Sequence, residues 1–170
     1  FTGLRIGSAT AKGLALALNK PLIHVPTVDA LAYNFCYTDK LVCPIMDARR
    51  NQVYTGIYRY EDHKLVVVEE QMALSITELL EKLNEYGENV TFLGDGVPVF
   101  RKVIEENMKV PYVFAPAHVN KQRAAAVGAL GMIYFQEGKY QTAAEHGPDY
   151  LRVSQAERER AEKERDFKIC

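Results

Sequence analysis

The spacing of apolar residues changes period along this chain, and the order of those changes restricts the fold more than any other feature. From Thr2 to Leu18, the residues Leu4, Ile6, Ala9, Ala11, Leu14, Ala15 and Leu18 recur at helical intervals with few polar interruptions. That spacing predicts a helix buried on more than one face, ending at Asn19 and Lys20 before Pro21. Pro21 to Val25 reads as a short buried strand, and Thr27, with Asp29 and Ala30, as an N-cap opening a helix through Ala32 and Phe35. After the polar hinge Tyr37 to Lys40 the period becomes two: Val42, Pro44 and Met46 lead to the turn Asp47-Ala48-Arg49-Arg50-Asn51. Val53, Gly56, Tyr58 and Tyr60 then alternate with polar neighbours up to a second turn at Glu61-Asp62-His63, and Leu65 to Glu70 completes a three-stranded antiparallel meander.

Helical spacing returns at Ser75, which forms a capping box with Glu78 and opens a helix over Leu79, Leu80 and Leu83 that Tyr86-Gly87 closes. Val90 to Leu93 predicts a buried strand, Gly94-Asp95-Gly96 a tight turn, and Val99, Val103 and Ile104 the apolar side of a helix. Val110 to Phe114 reads as a strand and Asn120 to Tyr134 as an alanine-rich helix ending at Gly138; Pro148 to Arg152 is extended. Strands and helices alternating in this way make an α/β fold. The segment Ser154 to Lys168 is dense in Glu, Arg and Lys with no apolar stripe, which predicts a solvated helix or a disordered tail.

Twenty-one basic against twenty-two acidic residues leave a net charge of -1, so no global field draws the chain onto phosphate backbones or anionic lipid. No apolar run reaches the roughly 18 to 20 residues of a membrane span. Cys36, Cys43 and Cys170 have neither C-x-x-C nor metal-ligand spacing, which fits reduced thiols in a cytoplasm. His24, His63, His118 and His146 are scattered, without an i, i+4 pair, so no metal site is expected. No G-x-S-x-G elbow occurs, and neither Cys36 nor Cys43 has a His nearby in sequence, so no catalytic residue is assigned. Gly3, Gly7 and Ala11 recur every fourth residue and clear a lane for close approach of another backbone or for simple core packing.

Three segments carry a family resemblance. Phe1-Thr2-Gly3-Leu4-Arg5-Ile6-Gly7 followed by Ala11-Lys12-Gly13-Leu14-Ala15, then Asp47-Ala48-Arg49-Arg50 with Val53-Tyr54, and finally Tyr150-Leu151-Arg152 resemble signatures of the TsaB (YeaZ) family. The resemblance runs from Phe1 to about Glu157. It implies an actin-like ATPase (ribonuclease H-like) fold whose second lobe, residues 39–153, is complete. Residues 1–38 would be the last helix and strand of the first lobe, and 154–170 the charged tail. In that family a longer N-terminal part, ending in Gly-Pro-Gly-Ser, precedes the first segment, so a cut before Phe1 is expected, with the apolar faces of the 2–18 helix left open unless another chain covers them.

The resemblance further implies a non-catalytic accessory subunit of the complex that makes threonylcarbamoyladenosine next to the anticodon of tRNAs. It would bind a TsaD-type catalytic subunit, with a TsaE-type ATPase joining the pair, and would touch tRNA only indirectly. ATP and metal would belong to the partner subunit, and none to this chain alone. The contact residues implied on this chain are Thr2, Gly3, Arg5, Ile6, Gly7, Thr10, Ala11 and Leu14. Self-association through the same helix is a further reading.

A second class of reading is a divergent nucleotide-binding ATPase or kinase-like enzyme, with a remnant pocket at Asp47, Arg49, Arg50, Gly94, Asp95 and Gly96. Catalytic actin-like proteins place an acidic residue and then glycines at the first turn, because only a chain without Cβ atoms lets amides close round a phosphate. Ala48, Arg49 and Arg50 stand there instead, which argues against an amide cradle and leaves the arginines for phosphate or for a partner's carboxylates.

Overall fold

A computed structural model describes residues 2–35, 37–62 and 64–152. The expectations for Phe1, Cys36, His63 and the tail 154–170, Cys170 included, lie outside the described residues. Among the described residues five helices and five strands follow one another: α1 (Thr2–Leu18), α2 (Thr27–Tyr33), β1 (Leu41–Asp47), β2 (Gln52–Glu61), β3 (Lys64–Ser75), α3 (Ile76–Tyr86), β4 (Val90–Leu93), α4 (Gly96–Asn107), β5 (Tyr112–Phe114) and α5 (Ala124–Gln136). The strands form one sheet in the order β3-β2-β1-β4-β5. The meander pairs antiparallel, whereas β4 and β5 join β1 in parallel. No described helix is long and apolar enough to cross a membrane.

β1 lies at the centre of the sheet, and its two rows of side chains feed two cores, as the period of two requires. Leu41, Cys43 and Ile45 pack with Leu79, Leu80 and Leu83 of α3 and with Val97, Phe100 and Ile104 of α4. Val42 points the other way, into a smaller cluster with Val28, Leu31 and Ala32 of α2, Tyr58 and Leu93. At the α3 entry, Ser75 Oγ accepts the Glu78 N–H at 3.2 Å while Glu78 accepts the Ser75 N–H at 2.9 Å, the reciprocal box that the sequence predicts. Gly87, at φ 69°, caps the other end in left-handed backbone.

Several sequence expectations are corrected. Pro21 to Val25 is not a strand: its only bridge is Leu22 to Gln141, because Pro21 and Pro26 donate nothing and no sheet edge lies alongside. Thr27 is the first residue of α2, preceded by Pro26, and no side chain caps the helix. β3 runs five residues beyond Glu70, since its register with β2 continues to Ser75 opposite Gln52. β5 begins at Tyr112, and α5 begins at Ala124. Asn120 does not start that helix; its side chain accepts the Gly94 N–H at 2.9 Å.

The largest departure is α1. The helix has the predicted bounds, but Ala15 is its only buried residue. Periodicity reports that a helix is apolar and cannot report what covers it. A Cβ added at Gly3, Gly7 or Gly13 would meet no atom within 4 Å. Gly13→Ala is therefore expected to stabilise the protein by about 0.5 to 1 kcal/mol through helix propensity alone, read as a raised urea midpoint.

Candidate functional site

Two neighbouring i, i+4 rows run along α1 and meet different surroundings. Gly3, Gly7 and Ala11 line one wall of a groove of about 440 Å³; the other wall includes His24, Val25, His146 and Asp149. Thr2, Ile6, Thr10, Leu14 and Leu18 form the outer row, with Ile6 62%, Leu14 59% and Leu18 65% exposed. Leu16, two positions from both Leu14 and Leu18, is 77% exposed on a different side of the helix. Thr10 satisfies its own hydroxyl on the Ile6 carbonyl at 2.9 Å, so the row presents an almost wholly apolar surface.

α1 is held chiefly by the segment 141–152. Arg5 Nε donates to the Tyr150 hydroxyl at 3.2 Å, and Lys12 Nζ donates to the His146 carbonyl at 2.7 Å. His24 is not a strand residue; its ring stands 5.8 Å from that of His146. Burial, helped by His24 and Lys12, lowers the His146 pKa below the ordinary imidazole range. Among the described residues no group of three His, Cys, Asp or Glu side chains is placed to hold a metal ion.

The three segments that carry the resemblance are far apart in sequence and converge in space. A cleft of about 350 Å³ has Leu4 of α1, Met46 and Tyr54 of the hairpin, and Tyr150, Leu151 and Arg152 in its lining. Arg152 donates across 104 positions to the Ala48 carbonyl, fastening the late segment to the β1–β2 turn. Sequence reasoning identified these segments without seeing that they share one cleft.

In that turn Arg49, Arg50 and Asn51 adopt φ of 65°, 56° and 57°. Left-handed backbone costs a side chain about 1 kcal/mol or more per residue, less for asparagine. The turn closes through Ala48 N–H to Gln52 O at 2.9 Å and Gln52 N–H to Arg49 O at 3.1 Å. Asp47 accepts the Arg49 N–H at 2.8 Å and pairs with its guanidinium at 3.1 Å.

The two parts of the candidate nucleotide pocket are neighbours, and Asp95 between the glycines is exposed. A Cβ on Gly96 would lie 2.9 Å from the Ile45 carbonyl oxygen and 3.4 Å from the Asp47 nitrogen. One on Gly94, at φ 112°, would lie 2.1 Å from that same oxygen. Close approach of the β4–α4 turn to β1 accounts for both glycines. The Gly94 N–H already donates to the carbonyl and side-chain oxygens of Asn120, at 3.1 and 2.9 Å.

Cys43 is buried, and burial pushes its thiol up to about 12 against a weaker downward pull from Thr55, so it is no nucleophile at neutral pH. One buried polar cluster went unread. The Asp29 carboxylate accepts from the Tyr58 hydroxyl at 2.6 Å and from the Tyr134 hydroxyl at 2.9 Å. The sequence signal is an acidic residue inside the otherwise apolar stretch Val28 to Ala32, a position near a helix start that also suits a capping role.

Residues 1–160 match the family model described as TsaD, tRNA N6-adenosine threonylcarbamoyltransferase. The tRNA threonylcarbamoyladenosine biosynthesis protein TsaB of Bacillus subtilis (strain 168) is 36% identical over 160 residues, which is 92% of this chain and 67% of that protein. TsaB of Escherichia coli (strain K12) is 29% identical over 156 residues, 89% of this chain and 66% of the relative. The chain thus spans about two thirds of the length of these relatives. Among solved structures, YeaZ from Pseudomonas aeruginosa superposes with a TM-score of 0.67 at 22% identity over 88% of this chain and 69% of that one. A second Pseudomonas aeruginosa structure, of an uncharacterized protein with similarity to peptidase YEAZ, gives a TM-score of 0.71 at 23% identity, covering 89% of this chain and 68% of its own. With its actin-like α/β sheet, its three converging segments and these relatives, the chain belongs to the TsaB (YeaZ) family.

Proposed function

We propose that this chain serves threonylcarbamoyladenosine modification of tRNA as a non-catalytic subunit, and that it binds a TsaD-type catalytic subunit through the outer row of α1. The observation that carries this reading is the exposed apolar surface of Ile6, Leu14 and Leu18 on a helix with one buried residue. Contiguous exposed apolar surface on a folded protein marks a binding face. A TsaE-type ATPase is the expected third member, with ATP and metal held by the partners. Residues 1–38 are read as part of a first lobe, and 39–153 as the second.

The test is titration calorimetry against a TsaD-type subunit. Ile6→Asp and Leu14→Asp should each weaken binding by about thirtyfold, the effect of losing an interface anchor. Both side chains face solvent, so the melting temperature should barely move. Unchanged affinity in both variants would sink the assignment. Light scattering on the same variants reads the rival use of this face: loss of a homodimer in place of a heteromeric complex would assign the face to self-association. Nucleotide hydrolysis is less well supported, since the Gly94 amide is occupied by Asn120 and Asp47 by Arg49.

A further inference from the structure

We propose that His146 is a proton-sensitive latch: its protonation releases residues 141–149 from α1 and opens the groove between them. The inference concerns how α1 is held, and it stands whether or not the outer row binds a TsaD-type subunit.

Between Gln141 and Tyr150 the chain lies on the surface, and only Ala143, His146 and Pro148 are partly buried. Of these three anchors His146 alone can change its charge near neutral pH. A turn from Thr142, closed by the His146 N–H on the Thr142 carbonyl at 3.1 Å, sets the residue in the wall of the 440 Å³ groove, across from Gly3, Gly7 and Ala11. Its Nδ1 is buried with no hydrogen-bond partner among the described residues. Whichever tautomer the neutral ring takes, the imidazolium carries a proton on that nitrogen, and here the charged donor would have neither water nor an acceptor.

The charges around the ring do not offset this cost. From α1, Lys12 reaches the His146 carbonyl at 2.7 Å, and from the segment between α1 and α2 the His24 ring stands at 5.8 Å. Glu145 is turned back onto the Thr142 N–H and hydroxyl, at 2.9 and 2.8 Å. Asp149, in the same groove, takes the Gln71 amide of β3 at 2.7 Å, and α5 contributes the apolar Val127. Burial first, then His24 and Lys12, hold the His146 pKa below the ordinary 6.5. Once residues 141–149 leave α1 the ring regains its ordinary value, so the released form binds the proton more readily. The released form therefore gains as pH falls below about 6.5, by at most about tenfold per pH unit, and the latch stays closed above that range.

The experiment is nuclear magnetic resonance on the full chain between about pH 7.5 and 5.5, the range in which an imidazole titrates. The His146 ring should titrate below the ordinary value, and the released population, read by relaxation dispersion at the Lys12 and His146 amides, should rise up to about tenfold. His146→Phe keeps a ring in the groove and cannot take the proton, so its released population should be independent of pH. A ring that titrates at or above the ordinary value would overturn the proposal, as would a released population in the unaltered chain that ignores pH. Both of those readings use the unaltered chain and need no variant to fold. Persistence of the pH response in His146→Phe would also overturn it and move the titrating group to His24.

Discussion

Gly94→Ala is expected to lower the free energy of unfolding by about 4 kcal/mol, among the largest effects a single methyl group can have. Two causes add. The backbone at Gly94 has φ 112°, which a side chain tolerates poorly, and the new Cβ would stand 2.1 Å from the Ile45 carbonyl oxygen in the central strand. That oxygen belongs to buried backbone in β1, so relief requires β4 and α4 to move away from the sheet and to loosen the packing of Val97 and Phe100. Thermal unfolding followed by circular dichroism should show a midpoint lowered by roughly 10 °C. A phosphate-cradling glycine would behave in the opposite way, sparing stability and abolishing ligand binding. A variant within 1 kcal/mol of the unaltered protein would show that the turn is not pinned against β1.

Asp29→Ala should cost about 3 kcal/mol, because it strands two phenol hydroxyls that share the carboxylate. Tyr58 reaches it from the sheet and Tyr134 from α5, so the one side chain ties α2 to both. Tyr58→Phe removes one of the two bonds and should cost about 2 kcal/mol. The same cluster sets an alkaline limit. Burial first, then the neighbouring Asp29, raises the ionisation of both phenols above the ordinary range. A phenol with a raised folded-state pKa favours the fold fully below about pH 10 and loses that contribution as pH climbs towards the folded-state value. Urea midpoints measured from pH 8 upward should fall beyond about pH 10. The fall should be shallower in Tyr58→Phe, and parallel curves for the two proteins would remove Tyr58 as a cause.

Local signals in the sequence were read well, and those that depend on distant partners were not. Ser75 and Glu78 announce the start of α3 because the capping bonds span three residues. The hairpin turn and the strand–glycine–helix unit were legible for the same reason. Pro21 to Val25 failed because a strand exists only with a neighbour, and two prolines together with a lone bridge to Gln141 leave none. Asp29 was misread because its partners lie 29 and 105 residues away. Of the candidate site, the three segments were recognised by their residues, while the hook from Arg152 to Ala48 that gathers two of them is invisible to any local pattern.

The fastening of α1 through Arg5 and Lys12 to residues 141–152 has a kinetic consequence. A seventeen-residue helix interrupted by Gly3, Gly7 and Gly13 draws little stability from propensity alone. With one buried side chain, it should open and close without unfolding the sheet beneath it, so its amides should exchange with solvent hydrogen far sooner than those of β1. A subunit that covers the outer row would slow that exchange by the factor its occupancy dictates, which turns the helix into an internal gauge of how much of the protein is engaged.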